Sequence, residues 1–384
     1  MDITISKDSS VPLHIQLLND MRHRILSGEW TPGSRLPSEH TLQNLLGISR
    51  STIRQAINAA KAEGLLESVP GKGTFVSQKV KSGNSRLVGF VIPYFRSGFD
   101  SQLLRGAESA LRAHGYRVIF CNSERQLQEE DRLLRLLMQD HVVGILIWPV
   151  MDENPARYLF DLVRQNVPVT LMDRTLPGLD ADVVLCDNFK GGYEATRHLI
   201  ARGHRRIAFL ARPHLNLWPI AERLRGYRRA MQEAGLEPLA PILIGAEEEI
   251  STDYALRSYT NAEGADLKQI REYLGRADRA TAIFAMNDLM ALQVLRAAEL
   301  AHIHVPRELS VVGFDDIDFA SHLEIPLTTI AQDPFRLGQE AARALLQRIA
   351  QPHQTPRQIV LPTRLIVRAS TAAPLVQKSH RSRR

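Results

Sequence analysis

At 384 residues and 44% hydrophobic composition, the chain is long enough for two or three domains with sizeable cores, which excludes a fibrous or wholly disordered protein. The polar start MDITISKDSS lacks the apolar stretch of a secretion signal, and no run reaches the roughly 18 apolar residues of a bilayer span, so a cytoplasmic, non-membrane protein is expected. The net charge of +6 does not by itself indicate nucleic acid: residues 1–80 hold nine Lys or Arg against seven Asp or Glu, Lys378, Arg381, Arg383 and Arg384 crowd the C-terminal end, and the stretch between is neutral.

In chain order, Leu17, Met21 and Ile25 recur every four residues before Gly28, which predicts a first helix. Ser38 and Glu39 then open a second helix with an apolar face of Leu42, Leu45 and Leu46, and Gly47 ends it. Ser49 caps a third. At 100° per residue, Ile53, Ala56, Ile57 and Ala60 fall on one side of that helix and Ser51, Arg54, Gln55 and Asn58 on the other. A small, polar, cationic face of this kind suits the major groove, where arginine offers paired donors to guanine, but the same pattern also serves a merely solvated face. Two apolar-rich runs, Leu65–Val69 and Thr74–Ser77, flank the turn Pro70-Gly71-Lys72-Gly73 and predict a hairpin wing.

These motifs in order, GEWTPGSRLPSE, the helix pair and the wing ending GKGTFV, resemble the winged helix-turn-helix of GntR-family transcription regulators. The resemblance implies double-stranded DNA as partner, with Arg35, Ser49, Arg50, Ser51 and Arg54 at backbone or bases and Gly71 of the wing in the minor groove. Where the family usually carries arginine after LPSE, this chain has His40, so that DNA contact is altered here. The expected organisation is a DNA-binding domain over 1–77, a polar linker over 78–86, a second region over 87–373 and a basic tail over 374–384.

From Leu87 onward, short apolar runs (LVGFVIP, YRVIFC, VVGILIWP, VPVTLMD, DVVLCD, RIAFLA, TAIFAM, LSVVGF) alternate with amphipathic segments. That alternation predicts an α/β fold with parallel sheets covered on both faces, divided into two lobes with a ligand crevice at the carboxyl ends of the strands. Cys121 and Cys186 end apolar runs and read as buried free thiols. No dinucleotide fingerprint, phosphate loop or nucleophile elbow is present, and His302 and His304 lack companions for a metal site, so neither an enzyme nor a cofactor or metal is expected.

At the strand ends stand Trp148, Asp173, Asn287, Asp315 and Gln332, with Arg223 on a following helix. Each has a plain structural alternative: Asn287 as a helix cap, Asp173 and Asp315 as turn residues, Arg223 as an exposed helix arginine, Trp148 as core. Together in one crevice, carboxylates, an amide and a guanidinium would match vicinal hydroxyls, and an aromatic face would cover the C–H side of a sugar. The segments LLRGAESAL, PVTLMDR, CDNFKGGYEATRHLIARGHRRIAFL, AIFAMNDLMAL and VPRELSVVGFDDIDFASHLEIPLTTIAQ resemble the effector domain of LacI/GalR-type repressors, a periplasmic-binding-protein-like fold. That resemblance implies effector contacts from Asp173, Arg223, Asn287, Asp315 and Gln332, with Phe95, Phe99 and Trp148 at variable pocket positions and Trp218 in a neighbouring loop. It also implies a homodimeric repressor whose operator affinity responds to a small sugar, or alternatively to a purine or other corepressor.

Overall fold

A computed structural model describes residues 5, 12–26, 28–78, 86–95, 98–150, 157–245, 264–352 and 354–375. The expected linker falls mostly outside the described residues, as does nearly all of the basic tail.

The N-terminal region contains α1 (Leu13–Leu26), α2 (Glu39–Leu46) and α3 (Arg50–Ala62), followed by β1 (Leu66–Val69) and β2 (Gly73–Val76) paired antiparallel. Ser38 caps α2 by accepting the Thr41 N–H at 3.1 Å, and Ser49 caps α3 by accepting that of Thr52 at 3.1 Å. Gly47 closes α2 in the left-handed region at φ +61°, which a side chain would resist. Leu17, Met21 and Ile25 pack with Leu42, Ile53, Ala56, Ile57 and Ala60 in one small core. Leu45 departs from the expected apolar face of α2, being 58% exposed: over eight residues the buried stripe is only wide enough for Leu42, with Leu46 at its margin.

The rest forms two sheets of parallel strands. Lobe 1 has the order β13-β7-β6-β5-β3-β4, using β3 (Leu87–Ile92), β4 (Arg117–Asn122), β5 (Gly144–Ile147), β6 (Val169–Met172), β7 (Asp182–Cys186) and β13 (Gln358–Leu361). Lobe 2 has the order β11-β10-β8-β9, using β8 (Ile207–Ala211), β9 (Ile242–Leu243), β10 (Ala282–Ala285) and β11 (Ser310–Val312). β5 and β6 are buried at every position, and their continuous apolar runs reflect helices on both faces. Covering them in lobe 1 are α4 (Gly98–Ala113), α5 (Leu127–Gln139), α6 (Arg157–Arg164) and α11 (Pro334–Ala350); lobe 2 carries α7 (Asn188–Ala201), α8 (Trp218–Glu233), α9 (Ala265–Leu274) and α10 (Asp288–Leu300).

The chain passes between the lobes near Asp187, Asp333 and Pro362, and a two-stranded antiparallel sheet of β12 (Thr329–Ala331) with β14 (Arg364–Ile366) accompanies the crossings. Asp187 N–H donates to the Leu361 carbonyl at 2.8 Å and Thr363 Oγ1 to that of Asp187 at 3.2 Å, so two crossings are bonded to each other. Cys186 is buried as expected, but Cys121 is only half-buried because β4 is an edge strand; both are free thiols.

One helix pair in each lobe depends on reciprocal glycines. A Cβ on Gly106 of α4 would stand 1.9 Å from the Phe335 carbonyl oxygen, and one on Gly338 of α11 2.0 Å from that of Leu103. In lobe 2 the same relation joins α7 and α8: a Cβ on Gly192 would lie 2.3 Å from the Arg223 carbonyl oxygen, and one on Gly226 2.2 Å from that of Phe189. Alanine at Gly192 gains about 1 kcal/mol of helix propensity, yet overpacking against backbone costs about 1–3 kcal/mol or more. Gly192→Ala should therefore lower the urea midpoint of unfolding; an unchanged or raised midpoint would contradict this close approach.

Candidate functional site: a cleft between the lobes and an exposed helix pair

Parallel strands deliver the cleft residues at their carboxyl ends. Trp148 follows β5, Asp173 follows β6, Asn287 follows β10, Asp315 lies just past β11, and Gln332 follows β12 at a crossing; Arg223 reaches in from α8. All six line one cavity of about 240 Å³. Asp173 turns at φ +63° and Asp315 at φ +115°, left-handed conformations that β-carbon-bearing residues adopt at a cost and that concentrate at functional sites.

Arg223 is almost wholly buried, and each of its three guanidinium nitrogens has an acceptor. Nε donates to Asn188 Oδ1 at 2.8 Å, Nη1 to the Met286 carbonyl at 2.6 Å and Nη2 to Asp315 Oδ1 at 3.5 Å, while the group stacks on the Phe314 ring at 3.6 Å. Gln332 Nε2 donates to the same Asp315 oxygen at 2.7 Å. Asn287 caps α10 by accepting the Met290 N–H at 3.0 Å, and it also lines the cavity.

Burial pushes the Asp173 carboxyl up to about 7; Arg174 and Arg223 oppose the shift, and Asp315 and Asp100 add to it. Asp315 is pushed up to about 6, again chiefly by burial, with Arg223 and the Gln332 hydrogen bond opposing. The two carboxyls, on opposite lobes, therefore stand near the threshold of ionisation at neutral pH.

Trp148 is enclosed rather than offering an open ring face. It is 4% exposed, with Tyr94 and Phe99 edge-on at 5.1 and 5.7 Å and the Arg174 guanidinium 5.2 Å from its ring centroid. Phe99 also lines the cavity, whereas Phe95 lies outside its lining, edge-on to Phe120 at 5.1 Å and 41% exposed. Trp218 is likewise outside the lining and packs against the lobe 1 core. Asp100, Arg125, Arg174 and His214 join the wall without having been expected there. For Arg174 a signal existed, since it directly follows Asp173 at a strand end; Asp100, in the first turn of α4, looks in sequence like an ordinary helix-start acid.

In the N-terminal region, Arg35, His40, Ser49, Arg50, Ser51, Arg54 and Gly71 are all exposed. Ser49 Oγ lies 2.7 Å from Ser51 Oγ at the start of α3. Arg54 donates to Glu39 through Nε at 3.3 Å and Nη2 at 3.0 Å, and Arg50 approaches the same carboxylate at 3.6 Å. Glu39 was expected only as a helix opener; a partner on the next helix leaves no periodic trace. His40 lies 3.4 Å from Asn44 one turn on. Gly71 sits at φ +72° in the wing turn, and Arg35 bridges to Phe75 of β2 with its guanidinium beside Gly73.

Residues 16–76 match the bacterial regulatory proteins of the gntR family, and residues 196–371 match the periplasmic binding protein-like domain. The chain is 33% identical over 376 residues to the arabinose metabolism transcriptional repressor of Geobacillus stearothermophilus, covering 95% of this chain and 99% of that protein. It is 32% identical over 335 residues to the ribose operon repressor of Escherichia coli strain K12, covering 85% and 97%. Among solved structures, a LacI family transcriptional regulator from Enterococcus faecium with bound ribose is similar at a TM-score of 0.62 and 29% identity, covering 75% of this chain and 99% of that one. With an exposed helix pair at one end, a two-lobed cleft at the other and likeness along its length, the chain belongs to the family of DNA-binding transcriptional repressors that join a GntR-type head to a LacI-type, periplasmic-binding-protein-like effector domain, and it is not an enzyme.

Proposed function

We propose that the effector is a neutral, unphosphorylated monosaccharide bound between the lobes, and that its binding loosens the repressor from its operator. The observation that carries this reading is the convergence of Asp173, Arg223, Asn287, Asp315 and Gln332 on one small cavity. Its volume of about 240 Å³ lies just below the usual range for ligand sites, which favours a single sugar ring over a disaccharide. Four carboxyl groups, Asp100, Asp173, Asp315 and Asp318, share the wall with three guanidiniums, Arg125, Arg174 and Arg223, so a phosphate would meet acidic groups there as well as cations. The likeness to arabinose and ribose repressors supports pentoses as the first candidates.

In this reading residues 1–77 are the DNA-binding domain and 87–373 the effector domain. Arg54 reads a base from α3, Arg50, Ser49 and Ser51 hold the backbone, Arg35 and His40 contact DNA beside them, and Gly71 brings the wing to the minor groove. The protein acts in the cytoplasm, where its operator lies, as a homodimer on a pseudo-palindromic site. The exposed aromatic pair Phe95 and Phe120, beside the open edge strand β4, is a surface that a second copy would cover.

Electrophoretic mobility shifts on the natural operator, with and without D-ribose, L-arabinose and their phosphates, test the reading. Arg54→Ala should weaken specific DNA binding by about 1–3 kcal/mol and leave sugar binding intact. Arg223→Ala should weaken sugar binding at least about 100-fold, or about 2.7 kcal/mol, while the repressor still occupies its operator. Tighter binding of a sugar phosphate than of the free sugar, or a response to a purine base alone, would overturn the proposed effector.

The raised carboxyls give a second prediction. Asp173 and Asp315 hold protons more tightly in the ligand-free fold than in the unfolded chain, so their stabilising contribution is complete below about pH 4 and is lost as pH rises through about 6 to 7. Hydroxyls donating to these oxygens favour the ionised form, so sugar binding should release protons, and affinity should rise between about pH 5 and pH 8. Calorimetry at pH 6 in buffers of different ionisation enthalpy measures that release directly. Proton uptake, or affinity that falls with pH, would contradict it.

A further inference from the structure

Glu130 lies in the first turn of α5 and is fully buried at 0% exposure, a rare setting for a carboxyl group. Its Oε2 accepts the Val150 N–H at 2.8 Å, and Oε1 has no hydrogen-bond partner among the described residues. Val150 lines the cavity although Glu130 does not. Two residues before Val150 is Trp148, in the wall, and between them the Pro149 carbonyl accepts from Arg174 Nη1 at 3.2 Å. The turn leaving β5 is thus gripped on both sides of one peptide unit, that joining Pro149 to Val150, by two side chains, Arg174 from the cavity wall and Glu130 from outside it.

A buried acid is a poor way to stabilise a core. Burial pushes this one up to about 8; Arg174 and the Val150 N–H oppose the shift and Asp131 adds to it. An apolar side chain would avoid the desolvation, but it would leave the Val150 N–H, beyond the end of its strand, without an acceptor. The arrangement is explained if the shape of the turn matters more than its stability.

We propose that Glu130 is a positioning residue for effector recognition: by holding Val150 N–H it fixes the turn from Trp148 to Val150, and with it the placement of Trp148 and Arg174 in the cavity wall. The assignment rests on the reading of the cleft as the effector site. It does not require that Glu130 touch the ligand.

The full-length chain and its Glu130→Gln and Glu130→Ala variants test this with two readouts. The first is hydrogen exchange at the Val150 amide without ligand, and the second is calorimetric binding of D-ribose and L-arabinose at pH 7. Glu130→Ala should speed exchange at Val150 and weaken sugar binding, each at least tenfold. Glu130→Gln retains an acceptor oxygen and, since the parent carboxyl is mostly protonated at pH 7, should stay within threefold of the parent chain in both. Unchanged exchange in Glu130→Ala overturns the hydrogen-bond role, and faster exchange with unchanged affinity overturns the positioning role. If the parent chain binds neither sugar, the effector reading fails on its own account, while Val150 exchange still decides whether Glu130 holds the turn.

Discussion

The guanidinium of Arg223 is the charge around which the cleft is arranged. A buried cation persists only where its donors are matched, and here the acceptors come from three places: Asn188 beside a lobe crossing, the Met286 carbonyl beyond β10, and Asp315 beyond β11. Removing one member of such a set typically costs about 3–5 kcal/mol, because the others are left buried and unmatched. The helix that carries Arg223 is fixed in turn by Gly192 and Gly226, whose missing side chains let α7 and α8 meet at backbone contact. Helix packing, crossing and strand ends are therefore parts of one constraint. A ligand that exchanges even one partner of this guanidinium acts on all of them.

Asp315 carries that action to the crossings. One of its oxygens receives both Arg223 and Gln332, and its backbone bridges to Ala331 of β12. Facing it from the other lobe, Asp173 is made harder to ionise by burial and by Asp315 in the absence of ligand. Hydroxyls placed between them would supply donors to both and relieve that cost, so ligand binding and lobe approach favour each other. Allosteric coupling is typically about 1–3 kcal/mol, which a few such hydrogen bonds to charged groups can supply.

Most of this cleft was legible in the sequence because parallel strands are buried on both faces and end in polar residues; runs such as GILIWP and VTLMDR announce strand, strand end and site residue together. The strands that escaped notice are of other kinds. β9 has two residues, β12 and β14 three each, and β13 is an edge strand whose exposed positions break its apolar run. Trp148 was recognised as a wall residue, but its enclosure by Tyr94, Phe99 and Arg174 depends on loops that converge only in the fold. Glu130 was invisible for a related reason: in an acidic helix start, QEED, nothing marks which carboxyl turns inward. Leu45 errs the opposite way, an apolar residue at helical spacing that the short α2 leaves in solvent.

The N-terminal region is held together largely by contacts of its own. Arg54 and Arg50 share the Glu39 carboxylate, and a pair so exposed to solvent contributes little to stability. A bidentate contact from arginine to guanine discriminates by about 1–3 kcal/mol, so under the proposed reading of Arg54 an operator would displace Glu39 at little cost. Ser38 and Ser49 cap their helices locally, and the small core beneath α3 is complete without the lobes. Asn19 of α1 donates to the carbonyl of Gln165, just beyond α6, so the first helix of the head meets the lobe whose strand ends carry Trp148 and Asp173.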